Sequence, residues 1–233
     1  MYQEYEEEAK LALIIESGNQ LEKLQYSLIT EICRAQTDPF VAETVVVPNP
    51  GMGRWLLHRF AIHQGIVANV ELPLPAGFFW RVVKAWFPHR ELSPFDKETL
   101  AWRIQAKLPA LMKTDSFASL RHYLEGDDPD LRLFQLSRKI ADVFDQYLVF
   151  RPEMVLAWEE KGENSPDQWQ SVLWRAITEE ENSHRARVLL ELSNEMDKSG
   201  QVPEGLPSRV HFFGLNALPP VYLEILDRSE ERR

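Results

Sequence analysis

Cysteine is all but absent: the 233 residues hold one, Cys33. A single thiol closes no intrachain disulfide and builds no cysteine-based zinc site. Disulfide-stapled and zinc-finger scaffolds are therefore excluded, and a reducing, cytoplasmic setting is the expectation. Cys33 itself falls in a helical pattern and is expected to pack as a small hydrophobe. No run approaches the roughly 18 consecutive apolar residues of a membrane helix. Met1–Glu8 is acidic and lacks the apolar stretch of a secretory signal, so no membrane partner is expected. Positive charge is in deficit, with 26 Lys and Arg against 36 Asp and Glu and a net of −10. That balance argues against a protein that coats polyanions indiscriminately. The charge is uneven, however: Gly51–Lys139 carries 13 Lys/Arg against 9 Asp/Glu, a surplus of +4 that leaves −14 for the remainder. A local nucleic-acid surface is permitted without being demanded. The six histidines show no H-E-x-x-H or other ligand spacing, and no G-x-S-x-G elbow occurs. Internal repeats and low-complexity tracts are also missing.

What is present suits a globular protein, with 44% apolar and 11% aromatic residues. The length fits one large domain or two small ones. The organising stretch is Thr44–Trp55, T-V-V-V-P-N-P-G-M-G-R-W. Thr44–Val47 is a β-branched run of the kind that fills a buried parallel strand. Pro48, Pro50, Gly51 and Gly53 break it, and Met52, Trp55, Leu56 and Phe60 then recur at helical spacing over Met52–Gln64. Strand, glycine turn and helix form the frame of a P-loop. The chemistry of a P-loop is missing. Pro48 stands where the first glycine belongs, and Gly53-Arg54-Trp55 replaces Gly-Lys-Ser/Thr. Arg54 could still meet a phosphate, but Trp55 cannot hold a metal, and two prolines delete N–H groups that a phosphate nest would use. The turn reads either as an ordinary β–α connection or as part of an NTPase-like fold that has given up its nucleotide.

Met1–Glu8 reads as a solvated lead-in, and Leu11–Ile15 as a short apolar strand. Ser17 and Gln20 fit a capping box ahead of a helix carrying Leu21, Leu24, Leu28, Ile29 and Ile32 on one face. After the central helix comes a strand at Val67–Leu72, then a proline-stiffened entry, Pro73-Leu74-Pro75, into a helix over Phe78–Phe87. Its aromatic cluster is core filling, or else Trp80 or a neighbouring Phe is a platform for unpaired bases, where stacking is worth about 1–3 kcal/mol per base. From Ser93 the texture is helical: Pro94–Lys107, Ser116–Leu124, Asp130–Val149, Pro152–Lys161, Pro166–Thr178 and His184–Lys198. Ser93-Pro-Phe-Asp96 and Ser165-Pro-Asp-Gln168 both place Ser at N-cap and Pro at N1. Gly200–Pro207 is a linker. A strand at Val210–Leu215 and a helix at Pro219–Leu226 resume the α/β pattern. The expected layout is a disordered lead-in (1–9), an incomplete α/β domain (10–92 with 208–233) and a helical insertion (93–207).

Pro129-Asp130 followed by Glu159-Glu160-Lys161 imitates a metal-nuclease signature, but both parts fall in helical patterns, whereas that chemistry is usually presented from strands. Asp127, Asp128 and Asp130 suit a helix N-terminus. In Ser137–Pro152, Ile140, Phe144, Tyr147 and Leu148 form an apolar stripe. Arg138, Asp142, Asp145 and Gln146 share another face. That face is either simply solvated or made of the residue types that read the hydrogen-bonding edges of bases.

Six segments carry a family resemblance: Glu16–Leu24, Gly51–Leu56, Ala68–Trp80, Leu120–Leu124, Phe134–Pro152 and Leu206–Leu223. Through them the chain resembles the N-terminal region of the gamma subunit of exodeoxyribonuclease V, the RecC family. They run in order from about Lys10 to Leu226. The resemblance implies a superfamily 1 helicase-like α/β fold, a degenerate P-loop NTPase with a parallel sheet and a large all-helical insertion. It implies a bacterial, cytoplasmic subunit that is neither motor nor nuclease. Such a subunit works with RecB-like and RecD-like partners, helps split duplex DNA and guides the 3′-ended single strand, which well-studied members scan for Chi. No cofactor is expected in this chain, ATP and Mg²⁺ being used by the partner subunits. Complete members are several times longer, so the chain resembles a truncated one.

Positions matching the family's strand contacts are Leu74, Trp80, Asp142, Asp145, Gln146, Arg151 and Arg185, with Val143 in place of a leucine. Pro48, Pro50 and Arg54 replace polar, base-reading side chains, so the same sequence preference is not expected. In this reading Trp80 stacks, Arg54, Arg151 and Arg185 hold phosphates or base edges, and Asp142, Asp145 and Gln146 supply polar readout. The alternatives are an active ATP-dependent helicase or NTPase fragment, which would turn over ATP, and a pure protein–protein scaffold, which would show no salt-dependent DNA binding.

Overall fold

The structure, a computed structural model, describes residues 13–35, 38–90, 95–160, 168–199 and 203–230. The expected lead-in, Leu11 and Ala12, the Ser93-Pro94 start, Lys161, the Ser165-Pro-Asp cap and the linker residues 200–202 lie outside these. The described residues divide into two compact units. One comprises those up to His89 with Met196–Leu218 and those from Tyr222 onward, and the other Arg90–Glu195 with Pro219–Val221.

The first unit is α/β. Helix α1 (Leu21–Ala35), strand β1 (Glu43–Val46), helix α2 (Pro50–Gln64), strand β2 (Val70–Glu71) and helix α3 (Pro75–Trp86) follow one another. Three parallel strands are ordered β2-β1-β3, with β1 central and β3 at Val210–Phe212. β1 is buried throughout, as its β-branched run requires. On one face Val45 and Val47 pack with Ile29 and Ile32 of α1 and with Leu56 and Phe60 of α2. On the other, Phe212, paired with Val46, meets Phe78 and Phe79 edge-on and tilted, and Phe79 stacks on Tyr222 at 3.8 Å. Glu43 and Arg209 form a 2.5 Å ion pair across β1 and the approach to β3, with His211 beside them.

Several expected boundaries are corrected here. Leu13–Ile15 of the expected first strand lie outside any helix or strand and are exposed. Ser17 does not cap α1, which starts at Leu21 with the Gln20 carbonyl accepting from Lys23 and Leu24. Gly18 and Asn19 are poor helix formers, and the turn they would occupy does not form. The Val67–Leu72 strand shrinks to two residues because Asn69 adopts φ 52°, which an extended ladder does not accept. Helix α3 begins at Pro75, earlier than Phe78, since proline at the first helical position costs nothing. Cys33 is exposed rather than packed, with the Gln64 amide against its sulfur.

The second unit is all-helical among the described residues. It comprises α4 (Lys97–Leu111), a 3₁₀ turn (Asp115–Phe117), α5 (Ala118–Leu124), α6 (Pro129–Phe150), α7 (Pro152–Glu160), α8 (Gln168–Thr178) and the greater part of α9 (Arg185–Lys198). Helix α10 (Pro220–Glu230) closes the described chain. The N-cap of α4 is Asp96, whose carboxylate accepts from the Glu98 and Thr99 backbones at 3.0 Å, so the helix starts later than a Ser93 cap implies. Asp128 caps α6 from the left-handed region, accepting from Leu131. The core joins Leu100, Ile104 and Leu108 of α4 to Ile140, Phe144 and Leu148 of α6 and to Leu173 and Trp174 of α8. At its edge, Glu159 collects Trp174 Nε1 at 3.0 Å, His184 Nε2 at 2.5 Å and the Arg187 guanidinium. That use of Glu159, inside a helical core, leaves no resemblance to a nuclease carboxylate. Among the described residues, no helix is long and apolar enough to cross a membrane.

Candidate functional site

The β1–α2 turn is a sharply capped helix start. Asn49 is extended at φ −159°, its side chain accepts from the Met52 N–H at 2.9 Å, and its carbonyl accepts from Gly53 at 3.2 Å. Pro50, at N1, has no N–H to offer. The Met52 and Gly53 N–H groups are thus taken by Asn49, and Pro48 and Pro50 have none to give. A Cβ on Gly51 would stand 3.1 Å from the capping oxygen, so glycine here serves the cap. Trp55, at the position of the metal-binding hydroxyl, stacks on Phe213 with centroids 6.2 Å apart and carries Arg59 over its ring. Arg54 is exposed on the first turn of α2. Past the end of β3, Gly214 takes φ +68°, with Met52 of the same turn 3.3 Å from where its Cβ would be.

Leu74 and Trp80 sit at the N-cap and in the second turn of helix α3, whose entry is tied to β1 by the Val47 N–H donating to the Pro73 carbonyl. Leu74 is the N-cap residue and 41% exposed, the product of a Pro-Leu-Pro entry that holds it extended before the first turn. Phe78, Phe79, Val82 and Val83 take the buried side of the helix. Trp80 is half-buried, and its indole N–H is out of reach of solvent with no acceptor among the described residues. Two phenylalanines of the aromatic cluster thus fill the core, as the core-filling expectation has it, and Trp80 is left at its margin.

The remaining candidates belong to the second unit. Ile140, Phe144 and Leu148 turn inward along α6, leaving Asp142, Val143 and Asp145 half-buried and Gln146 exposed on its C-terminal half. Asp142 is held by Lys97 from α4, and Lys139 stands 3.9 Å from its other oxygen. The Lys97 hydrogen bond and charge, with Lys139 adding to them, keep the Asp142 carboxyl below the usual carboxylate range. It is therefore a fixed acceptor at neutral pH. Arg185, at the start of α9, reaches Asp145 at 3.7 Å. Helix α6 ends at Arg151 because Pro152 follows. Arg151 donates its N–H to Tyr147 O at 2.9 Å and leaves its guanidinium exposed beside the Tyr147 ring at 5.9 Å. Asp142, Val143, Asp145, Gln146, Arg151 and Arg185 thus gather around the C-terminal half of one helix. Arg54, Leu74 and Trp80 belong to the other unit.

Three partners escaped the sequence. Lys97 is 45 residues from Asp142, and His184 and Arg187 are 25 and 28 residues from Glu159, separations at which no periodicity operates. His184 is fully buried and its ring stands edge-on to both Phe95 and Trp174. It is a packed, bonded group, not a ligand. Among the described residues no cluster of three or more His, Cys, Asp or Glu could hold a metal ion.

Residues 13–233 match the family model described as RecC, N-terminal domain. A RecBCD enzyme subunit RecC from Escherichia coli is 39% identical over 200 residues, covering 81% of this chain and 18% of the relative. One from Haemophilus influenzae is 37% identical over 248 aligned positions, covering 91% of this chain and 22% of the relative. A third, from Mycolicibacterium smegmatis, is 25% identical over 93% of this chain and 20% of its own length. The chain thus spans about a fifth of the length of the relatives it matches. With a parallel α/β unit, an all-helical unit and a match running nearly from end to end, the chain belongs to the RecC N-terminal domain family.

Proposed function

We propose that this chain is the non-catalytic, strand-guiding part of a RecBCD-type complex acting in DNA repair and recombination. Its partners are RecB-like and RecD-like subunits together with single-stranded and duplex DNA. The observation that carries the reading is the face of α6 around Asp142, Asp145, Gln146 and Arg151. It combines a fixed acceptor in Asp142, a second carboxylate, an amide able to donate and accept, and an exposed guanidinium beside an aromatic ring. Such a set can contact base edges and a phosphate together. In the α/β unit, Trp80 and Leu74 offer a strand an aromatic ring and an apolar edge, and Arg54 a phosphate contact.

The β1–α2 turn supports a fold of helicase ancestry in which this subunit no longer hydrolyses nucleotide. Two of its amide donors, those of Met52 and Gly53, are taken by Asn49, and Trp55 is packed on Phe213. The complex draws ATP and Mg²⁺ through its other subunits. Pro48 and Pro50 cannot donate hydrogen bonds, so any Chi-like scanning has its own sequence preference.

The test uses the full-length protein assembled with its partners and a duplex bearing a 3′ single-stranded tail. Trp80→Ala and Arg151→Ala are each expected to weaken tail binding about tenfold, in line with roughly 1–3 kcal/mol per stacked base or strand contact. Unchanged affinity in both variants would remove the site assignment. ATP turnover by this chain without its partners would remove the non-catalytic assignment.

A further inference from the structure

The outer face of α6 continues beyond Asp142 toward the N-terminus, where it carries Arg138 and Phe134 at successive i, i+4 steps. Against Phe134 lies Trp102 of α4, with ring centroids 5.9 Å apart and planes at 46°. The Arg138 guanidinium stands 5.7 Å from the centre of the Phe134 ring. Trp102 is 62% exposed, although α4 buries Leu100, Ile104 and Leu108 completely. Arg138 is exposed too, and among the described residues no carboxylate lies within ion-pair distance of it. Lys97 and Lys139, by contrast, both face Asp142.

Folding alone accounts poorly for this arrangement. The two rings lean on one another while most of the indole stays in water, and the cation beside Phe134 has no carboxylate partner among the described residues. An open aromatic face beside an uncommitted guanidinium suits a ligand that is planar and anionic at once. An apolar protein surface laid over it would strand the Arg138 charge away from water. The track from Phe134 to Asp145 spans roughly 16 Å at 1.5 Å per residue, room for several bases at about 3.4 Å each.

We propose that Trp102, Phe134 and Arg138 form an additional contact for single-stranded DNA. Trp102 is the stacking platform, Phe134 props it and Arg138 neutralises an adjacent phosphate. This contact rests on the strand-guiding reading above and lengthens the path along α6.

The test again uses the full-length protein in its assembled complex, with a fluorescein-labelled oligothymidylate as the probe. Trp102→Ala is expected to weaken binding about tenfold and Trp102→Phe much less. Arg138→Ala should lower affinity several-fold and reduce the salt slope by about one. A 5-iododeoxyuridine oligonucleotide should crosslink to Trp102, and thermal melting of the variants should be unchanged. If Trp102→Ala and Arg138→Ala bind normally and no crosslink forms while Arg151→Ala weakens binding, this proposal is overturned and the strand-guiding reading stands. If none of the variants has an effect, both fall. If Trp102→Ala releases a partner subunit while single-strand affinity is unaltered, the face docks protein and the proposal is likewise overturned.

Discussion

Glu159 accepts from Trp174, His184 and Arg187 with little water around it. Burial pushes its carboxyl up, but the His184 hydrogen bond and charge, then Arg187 and Trp174, more than offset that, and it sits below the usual range. A carboxyl lowered in the fold contributes stability above its unfolded value and loses it as pH falls through the folded one. Glu159→Gln is therefore expected to cost about 3 kcal/mol in urea denaturation at pH 7, because it leaves His184 and Arg187 without their anion. It should also flatten the acid limb below about pH 4.5. His211 works through the opposite charge type. Burial, followed by the Arg209 charge, lowers it from 6.5, with Glu43 acting against them. The fold keeps it neutral while the unfolded chain takes up the proton, so stability should decline as pH drops below about 6.5. His211→Asn should remove that decline, as followed by denaturation midpoints from pH 7.5 to 5. At this scale the sequence disclosed what lies within one helix turn. Asp142, Asp145 and Gln146 were legible as one face, whereas the Glu159 cluster was hidden by its separation. Cys33 was misjudged because a helical pattern does not say which of its faces is covered.

Helix α2 shows how a local cap can fix the start of an element. Its start is fixed by Asn49, Pro50 and Gly51, and its first turn presses Met52 toward Gly214. Gly214→Ala puts a side chain at φ +68° and a Cβ 3.3 Å from the Met52 methyl. It should lower stability by about 1–2 kcal/mol, read from the denaturation midpoint at unchanged slope. Asp96→Ala removes the cap of α4 and should cost about 1 kcal/mol by the same measurement. The long helices α2, α6 and α9 were legible because their apolar residues recur over three or more turns. Caps and short strands were not. Pro75 reads equally as an extended entry and as a first helical residue, and only the packing of Phe78 and Phe79 decides. The start of α4 is set by Asp96, whose carboxylate reaches two backbone donors. The two-residue β2 carries too little pattern for its ends to be read at all.

In the molecule as a whole, the α/β pattern and the helical stretch were visible as a change of texture after Ser93. Strand order was not, because β1 and β3 pair across most of the chain. If the α2 turn is spent on its own cap, Arg54→Ala should leave ATP hydrolysis by the assembled complex unchanged while weakening strand binding at low salt. That pair of measurements separates a phosphate contact on DNA from one on nucleotide. The Glu43–Arg209 ion pair bridges 166 positions, and the whole of the second unit's main segment is synthesised between them. A ribosome making about 5–20 residues per second needs roughly ten to thirty seconds to cover that interval. Throughout it the valines of β1 have an open flank, a ready template for the wrong strand. On that side β1 waits for its partner until Phe212 has been made.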